Sequence, residues 1–194
     1  TKPPQNSTPG PSGHAESESE VENLEILHPG ASIVQNHPKK MKWSTRPAGE
    51  LNRKTVDSIR AINPDAKIIN MGDFNDDPNN KSVESVLGAV GDRDEVTDDS
   101  TFYNPMMSFY KKGIGTSCYR DKWNVLDQVH VSPSLLDERD TNWYFWKAGI
   151  FNPSYLYNKK GRYKGYPFRS FAGGKFTGGY SDHFPVYALL IKKL

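Results

Sequence analysis

The chain has 194 residues, enough for one domain with its own core and few for two. Hydrophobic residues make up 35% and aromatic ones 12%, so the core is expected to lean on large rings. A formal net charge of +2 gives no broad basic footprint, the single cysteine, Cys118, excludes an internal disulfide, and no apolar run has the length of a bilayer span.

Residues 1–20 are Pro, Ser, Gly and Glu without periodic apolar positions, the composition of a disordered tail or linker, and residues 21–194 are expected to form the domain. The chain opens on Thr1, as expected of a processed product or a fragment; the protein is read as soluble, and as exported if a leader was removed. Residues 31–35 predict a short strand delivering His37 to a loop ahead of Pro38. Leu51, Thr55, Ile59 and Ile62 fall at helical spacing over residues 47–62, with Pro47 suited to a first turn and Asn63-Pro64 to a stop. Residues 67–71 then predict a buried strand ending in Gly72-Asp73-Phe74-Asn75-Asp76-Asp77-Pro78, although Asp, Asn and Gly also favour turns. A helix over residues 82–90, a solvated acidic loop over 92–99 and a strand over 116–120 holding Cys118 follow. Residues 123–131 and 143–151 predict two more strands, the second with Trp143, Tyr144, Phe145 and Trp146 as sheet aromatics. Ser181-Asp182-His183 precedes a last strand over residues 184–191, and strands interspersed with a few helices predict a mixed α/β architecture.

Polar groups thus recur at three strand boundaries: Asp73 with Asn75, Asp127 with Gln128, and Asp182 with His183. Hard carboxylate oxygens suit Mg²⁺ or Mn²⁺, which keeps waters and takes few protein ligands, and Asp182 is the natural ligand candidate. A histidine oriented by a carboxylate takes a proton from water or stabilises a phosphate, so Asp127 is expected to orient His183 if their strands are neighbours. Asn75 would help neutralise the non-bridging oxygens, and Asp73 would bind or position the attacking water. His14, His28 and His130 are read as structural or solvent-exposed.

Gly72-Asp73-Phe74-Asn75, Leu126-Asp127-Gln128-Val129 and Ser181-Asp182-His183-Phe184-Pro185 resemble, in order, the late motifs of the endonuclease/exonuclease/phosphatase superfamily. The resemblance runs from about residue 33 to the C-terminus. It implies a DNase I-like β-sandwich flanked by helices (αββα), truncated to its C-terminal portion, and a metal-dependent phosphodiester hydrolase, nuclease-like first among substrates. By the same resemblance Asp73 and Asn75 handle nucleophile and phosphate, Asp182 and Asp73 serve a Mg²⁺ or Mn²⁺ site, His183 paired with Asp127 acts as base or phosphate contact, and His37 looks like the family's earlier histidine. The family's N-terminal asparagine and metal-binding glutamate have no clear counterpart here; only Val21-Glu22-Asn23-Leu24 is similar to the former. The competing class is therefore a noncatalytic or partial family member. A second chain, or an N-terminal half outside this sequence, is expected to cover the apolar sheet face.

Between residues 155 and 180, Lys159, Lys160, Arg162, Lys164, Arg169 and Lys175 alternate with tyrosines and phenylalanines. The mixture suits phosphate contact and base stacking by a nucleic acid or another phosphate ester, with Arg162 and Arg169 as candidate substrate-binding residues; the alternative is a solvated glycine-rich loop whose rings pack beneath it.

Overall fold

The computed structural model describes residues 45–139 and 142–192, so the expectations for the 1–20 tail, the 31–35 strand, Asn23, His14, His28 and His37 lie outside the described residues. Helix α1 (Thr45–Ile62) carries Pro47 in its first turn and stops at Asn63, whose N–H donates to the Ile59 carbonyl at 3.0 Å. The buried stripe is not the expected one. Asn52 and Val56 are buried with Ile59 packed behind them, whereas Leu51 is 65% and Ile62 89% exposed. The helix is rotated because Asn52 Nδ2 donates to Asn70 Oδ1 across the interface at 3.1 Å, drawing a polar position inward.

Ten strands are described: β1 (Ile69–Asp73), β2 (Ala89–Val90), β3 (Phe102–Tyr103), β4 (Ser117–Tyr119), β5 (Lys122–Asn124), β6 (Asp127–Val131), β7 (Trp143–Ile150), β8 (Phe171–Ala172), β9 (Lys175–Phe176) and β10 (Val186–Lys192). A four-stranded mixed sheet runs β1-β6-β3-β2, with β1 and β3 antiparallel to β6 and β2 parallel to β3. β7 and β10 form an antiparallel ribbon, β4 and β5 a hairpin, and β8 and β9 a second hairpin.

Alternation along β1 and β6 sends two sets of side chains to opposite faces. Ile68, just before β1, packs with Val56, Val83, Leu87, Ala89 and Phe102 beneath α1. Ile69, Met71, Val129 and Val131 pack on the other face with Phe145, Ile150, Val186, Ala188 and Leu190 of the β7–β10 ribbon. The order is helix, sheet, sheet. The outward side of the ribbon leaves Trp146 39% and Tyr187 38% exposed, while Phe145 points into the core. Four such aromatic positions are sheet residues, as their composition predicts.

Two other expectations are corrected, and three elements went unread. The 82–90 helix is a short π-helical segment, Ser82–Leu87, ended by Gly88 in the left-handed region (φ 76°), after which the chain turns extended as β2. The single strand over 123–131 is broken at residues 125–126, because Val125 N–H donates to Asp77 Oδ1 (2.8 Å) and both Leu126 and Asp127 N–H donate to Thr116 Oγ1 (3.1 Å each), so side chains take the ladder donors. Helix α2 (Met106–Lys111), which buries Met106 and Met107, and the two-residue strands β2 and β3 lacked a periodic signal long enough to read. None of the described helices is long and apolar enough to cross a membrane.

Candidate active site

Antiparallel register places Asp73, the last residue of β1, directly opposite Asp127, the first of β6. Both project on the face that packs against the β7–β10 ribbon, at the end where the inner apolar rows of Met71 and Val129 stop. The third group arrives from the other sheet: His183 precedes β10 and bridges Ser117 of β4, while Phe184 N–H donates to the Thr116 carbonyl at 2.8 Å. Thr116 therefore fixes both sides of the site, its hydroxyl holding the start of β6 and its carbonyl holding the chain after His183.

His183 Nδ1 lies 2.7 Å from Asp127 Oδ2, with side-chain exposures of 22% and 17%. An ionised carboxylate only accepts, so Nδ1–H donates and Nε2 is left without the proton. One ligand atom each from Asp73, Asp127 and His183 falls within 4.8 Å of the others, a cluster able to hold a cation. Burial pushes the Asp73 carboxyl above its ordinary range, and the neighbouring Asp127 and Asp182 carboxylates add to this against a hydrogen bond from Asn75 N–H and the charge of His183. For His183 burial alone would lower the pKa, but the hydrogen bond and charge of Asp127, with Asp73 and Asp182, outweigh it and hold the imidazole above its ordinary value.

Asn75 is exposed and left-handed (φ 52°), with its N–H donating to Asp73 Oδ1 at 2.9 Å. The turn reading and the functional one meet here, since an Asx turn both shapes the loop and leaves the Asn75 amide in solvent. Asp182 is exposed too; its carbonyl accepts from Ser117 Oγ (3.3 Å), and it lies outside the cluster of three while its charge is felt by Asp73 and His183. Arg162 and Arg169 lie elsewhere, on the wall of a separate cleft.

Sequence reading missed the support beneath this site. Gln128 Nε2 donates to the Asp76 carbonyl (2.6 Å), tying the 73–77 loop to β6, and its Oε1 accepts from Asn104 Nδ2 (2.8 Å) and faces His130 Nε2 at 3.1 Å. His130 is wholly buried, continues to Asn70, and is held down to a pKa of about 3 by burial, which makes it a neutral structural group. The signal for this row was the placing of Gln128 and His130 two apart on a strand, both on the face opposite Asp127.

Two carboxylates and an imidazole converging in this way suit a hard divalent cation, since Asp73 is a half-buried carboxylate beside like charges that such an ion would neutralise. The helices and mixed sheets have the α/β content of a DNase I-like domain. Comparison with curated proteins gave no match, and comparison with solved structures gave none. Residues 31–192, which take in all three strand-end motifs, match the family model described as Endonuclease/Exonuclease/phosphatase family, and the chain belongs to that family.

Proposed function

We propose that this chain hydrolyses phosphodiester bonds with a bound Mg²⁺ or Mn²⁺, nucleic acid leading among its substrates. The observation that carries the reading is the convergence of Asp73, Asp127 and His183 within 4.8 Å at the open end of the two sheets. Asp73 and Asp182 would hold the cation, which when bound neutralises charge on the phosphate oxygens. Asp127 fixes the imidazole through Nδ1, so His183 Nε2 takes the proton of the attacking water, or in its charged form donates to a non-bridging oxygen. The exposed Asn75 side-chain amide would donate to the same phosphate. Water attacks phosphorus, the ester bond to the leaving alkoxide breaks, and the alkoxide takes its proton from solvent. Arg162 and Arg169 would contact the substrate away from the reacting phosphate.

The test is hydrolysis of a bis-aryl phosphodiester and of plasmid DNA by the purified chain with Mg²⁺ or Mn²⁺. Turnover is expected to vanish in chelator and in Asp73→Ala. A folded wild-type chain that hydrolyses neither would leave the noncatalytic reading.

A further inference from the structure

Beside the active site lies a cleft of about 440 Å³, within the roughly 300–1,000 Å³ of small-molecule sites. One wall is the β4–β5 hairpin, ending in Tyr119, Arg120 and Asp121; the other is the 155–180 loop, with Arg162, Tyr163 and Arg169. Three features of this cleft go beyond the substrate contacts proposed above for Arg162 and Arg169.

The first is charge. Residues 155–180 contain six cations and no carboxylate. The one carboxylate lining the cleft, Asp121, accepts a hydrogen bond from the Tyr166 hydroxyl, and Arg120, Arg162 and Arg169 form none of the ion pairs among the described residues. The second is exposed ring surface. Tyr163 is 57% and Tyr119 62% exposed, with the Arg162 and Arg120 guanidinium groups 5.8 and 5.2 Å from their ring centres. Beneath them Phe184, Trp123 and Tyr166 pack in series at 6.1 and 6.0 Å, and Tyr163 meets Tyr166 at 5.5 Å, so the aromatic row begins one residue after His183 and ends in the cleft.

The third is backbone strain. Arg120 (φ 50°) and Asp121 (φ 63°) occupy the two centre positions of the hairpin turn, where left-handed geometry favours Asn-Gly. Tyr166 holds them there, its hydroxyl accepting from Asp121 N–H at 2.7 Å and donating to the carboxylate. Strain kept at a position that aims an unpaired arginine into a cleft points to binding. The two sites are also rigidly linked. Ser117, which bridges His183, is three residues from Arg120, at most about 10 Å of chain.

Resting on the hydrolase reading, we propose that this cleft is a subsite for an unpaired nucleotide next to the scissile bond of a nucleic-acid strand. Arg120 and Arg162 take its phosphate and Tyr163 stacks on its base. A paired base keeps both faces in its own stack and cannot offer one to Tyr163, so the cleft selects single strands over duplex.

The test is fluorescence anisotropy of a labelled oligothymidylate, and of a duplex of equal length, titrated with the full chain in chelator so that nothing is cleaved. The wild type is expected to bind the single strand more tightly. Arg120→Ala with Arg162→Ala should weaken that binding about tenfold or more and reduce the salt slope by about 0.7, the share of one phosphate contact on a single strand. Tyr163→Ala should cost the single strand roughly tenfold and the duplex little. Arg139→Ala, on an exposed arginine before the end of β7 remote from His183, is the charge control. Arg162→Gln on the exposed loop, expected to show part of the double variant's loss, serves if the double variant does not fold. Equal binding of single strand and duplex, no loss in Tyr163→Ala, a loss in Arg139→Ala equal to that of the arginine pair, or equal displacement by inorganic tripolyphosphate in wild type and Tyr163→Ala would each overturn the subsite. Arginine- and Tyr163-dependent binding by a chain that hydrolyses nothing would sink the hydrolase reading and leave the subsite standing.

Discussion

Asp127→Asn keeps the shape of the side chain that holds His183 and removes its charge. In the wild type the imidazole donates to a carboxylate at 2.7 Å with both groups largely shielded, so solvent screening trims the interaction little. A hydrogen bond to a charged group contributes about 1.5–3 kcal/mol net, against about 0.5–1.5 kcal/mol for a neutral one. The difference is roughly 1–1.5 kcal/mol, about tenfold in proton affinity. His183 should therefore titrate lower in the variant, because burial, which already pulls it down, is then opposed only by a neutral hydrogen bond and by the charges of Asp73 and Asp182. The sign carries over to stability. A histidine whose folded pKa is raised stabilises fully below its unfolded pKa of about 6.5 and loses that contribution as pH rises through the folded value. The gap in stability between wild type and variant should accordingly be widest below pH 6.5 and shrink above it. Proton NMR titration of the histidine ring in chelator, with His183→Gln for assignment, reads the pKa; urea unfolding across the same pH range reads the stability. Hydrolysis should fall about a hundredfold or more. A folded variant whose His183 pKa has not moved would show that the Asp127 charge does not hold the imidazolium, and the assigned role of the pair would go with it.

Asp73→Asn should abolish hydrolysis and any rise in melting temperature on adding Mg²⁺, yet stabilise the metal-free protein at neutral pH by about 0.5–2 kcal/mol, since it removes a carboxylate that burial and neighbouring charges disfavour; a less stable metal-free variant would contradict this. His130 is buried neutral with a pKa of about 3, so its stabilising contribution is present above the unfolded value of about 6.5 and is lost on acidification, at up to about 1.4 kcal/mol per pH unit, until the folded value is reached. In His130→Gln the fall in stability between pH 6.5 and 3 should flatten by one proton's worth, read from urea midpoints. A Cβ at Gly179 would lie 2.3 Å from the carbonyl oxygens of Phe168 and Arg169, so Gly179→Ala should force the 168–177 loop off Tyr180, cost about 1–3 kcal/mol and open that loop to limited proteolysis. Unchanged proteolysis would mean that the loop is not held from Gly179.

How far the site could be read from the sequence depended on whether each partner was marked locally. Asp73, Asn75, Asp127 and His183 sit at ends of strands, where apolar alternation stops at a polar cluster, and each of those endings was visible in a few residues. Thr116 had no such mark, because its role comes from a break between β5 and β6 that is made by its own hydroxyl and by Asp77, whose carboxylate reaches Val125 from 48 residues earlier in the chain. The rotation of α1 was hidden for a similar reason: the apolar spacing of Leu51, Thr55, Ile59 and Ile62 is lost to one Asn52–Asn70 hydrogen bond across the interface.

Strand parity explains why the candidate site and its support do not compete for space. In β6 the odd positions Asp127, Val129 and Val131 face the second sheet, and the even positions Gln128 and His130 face α1, where Gln128 grips the Asp76 carbonyl. A one-residue slip of β6 against β1 would exchange these sets, burying Asp127 beneath the helix without His183 and turning Gln128 to the active site. The buried polar row is thus what penalises the wrong register: Asn104, His130 and the Asp76 carbonyl would all lose partners at once, each at about 1–3 kcal/mol. Gln128→Leu tests this, since it removes the grip but keeps the bulk. It should lower stability by several such losses and loosen the 73–77 loop, so that the NMR signal of the Asn75 amide, which reports its bond to Asp73, broadens or shifts. If stability falls while that signal stays in place, the row supports the fold but does not set the position of Asp73.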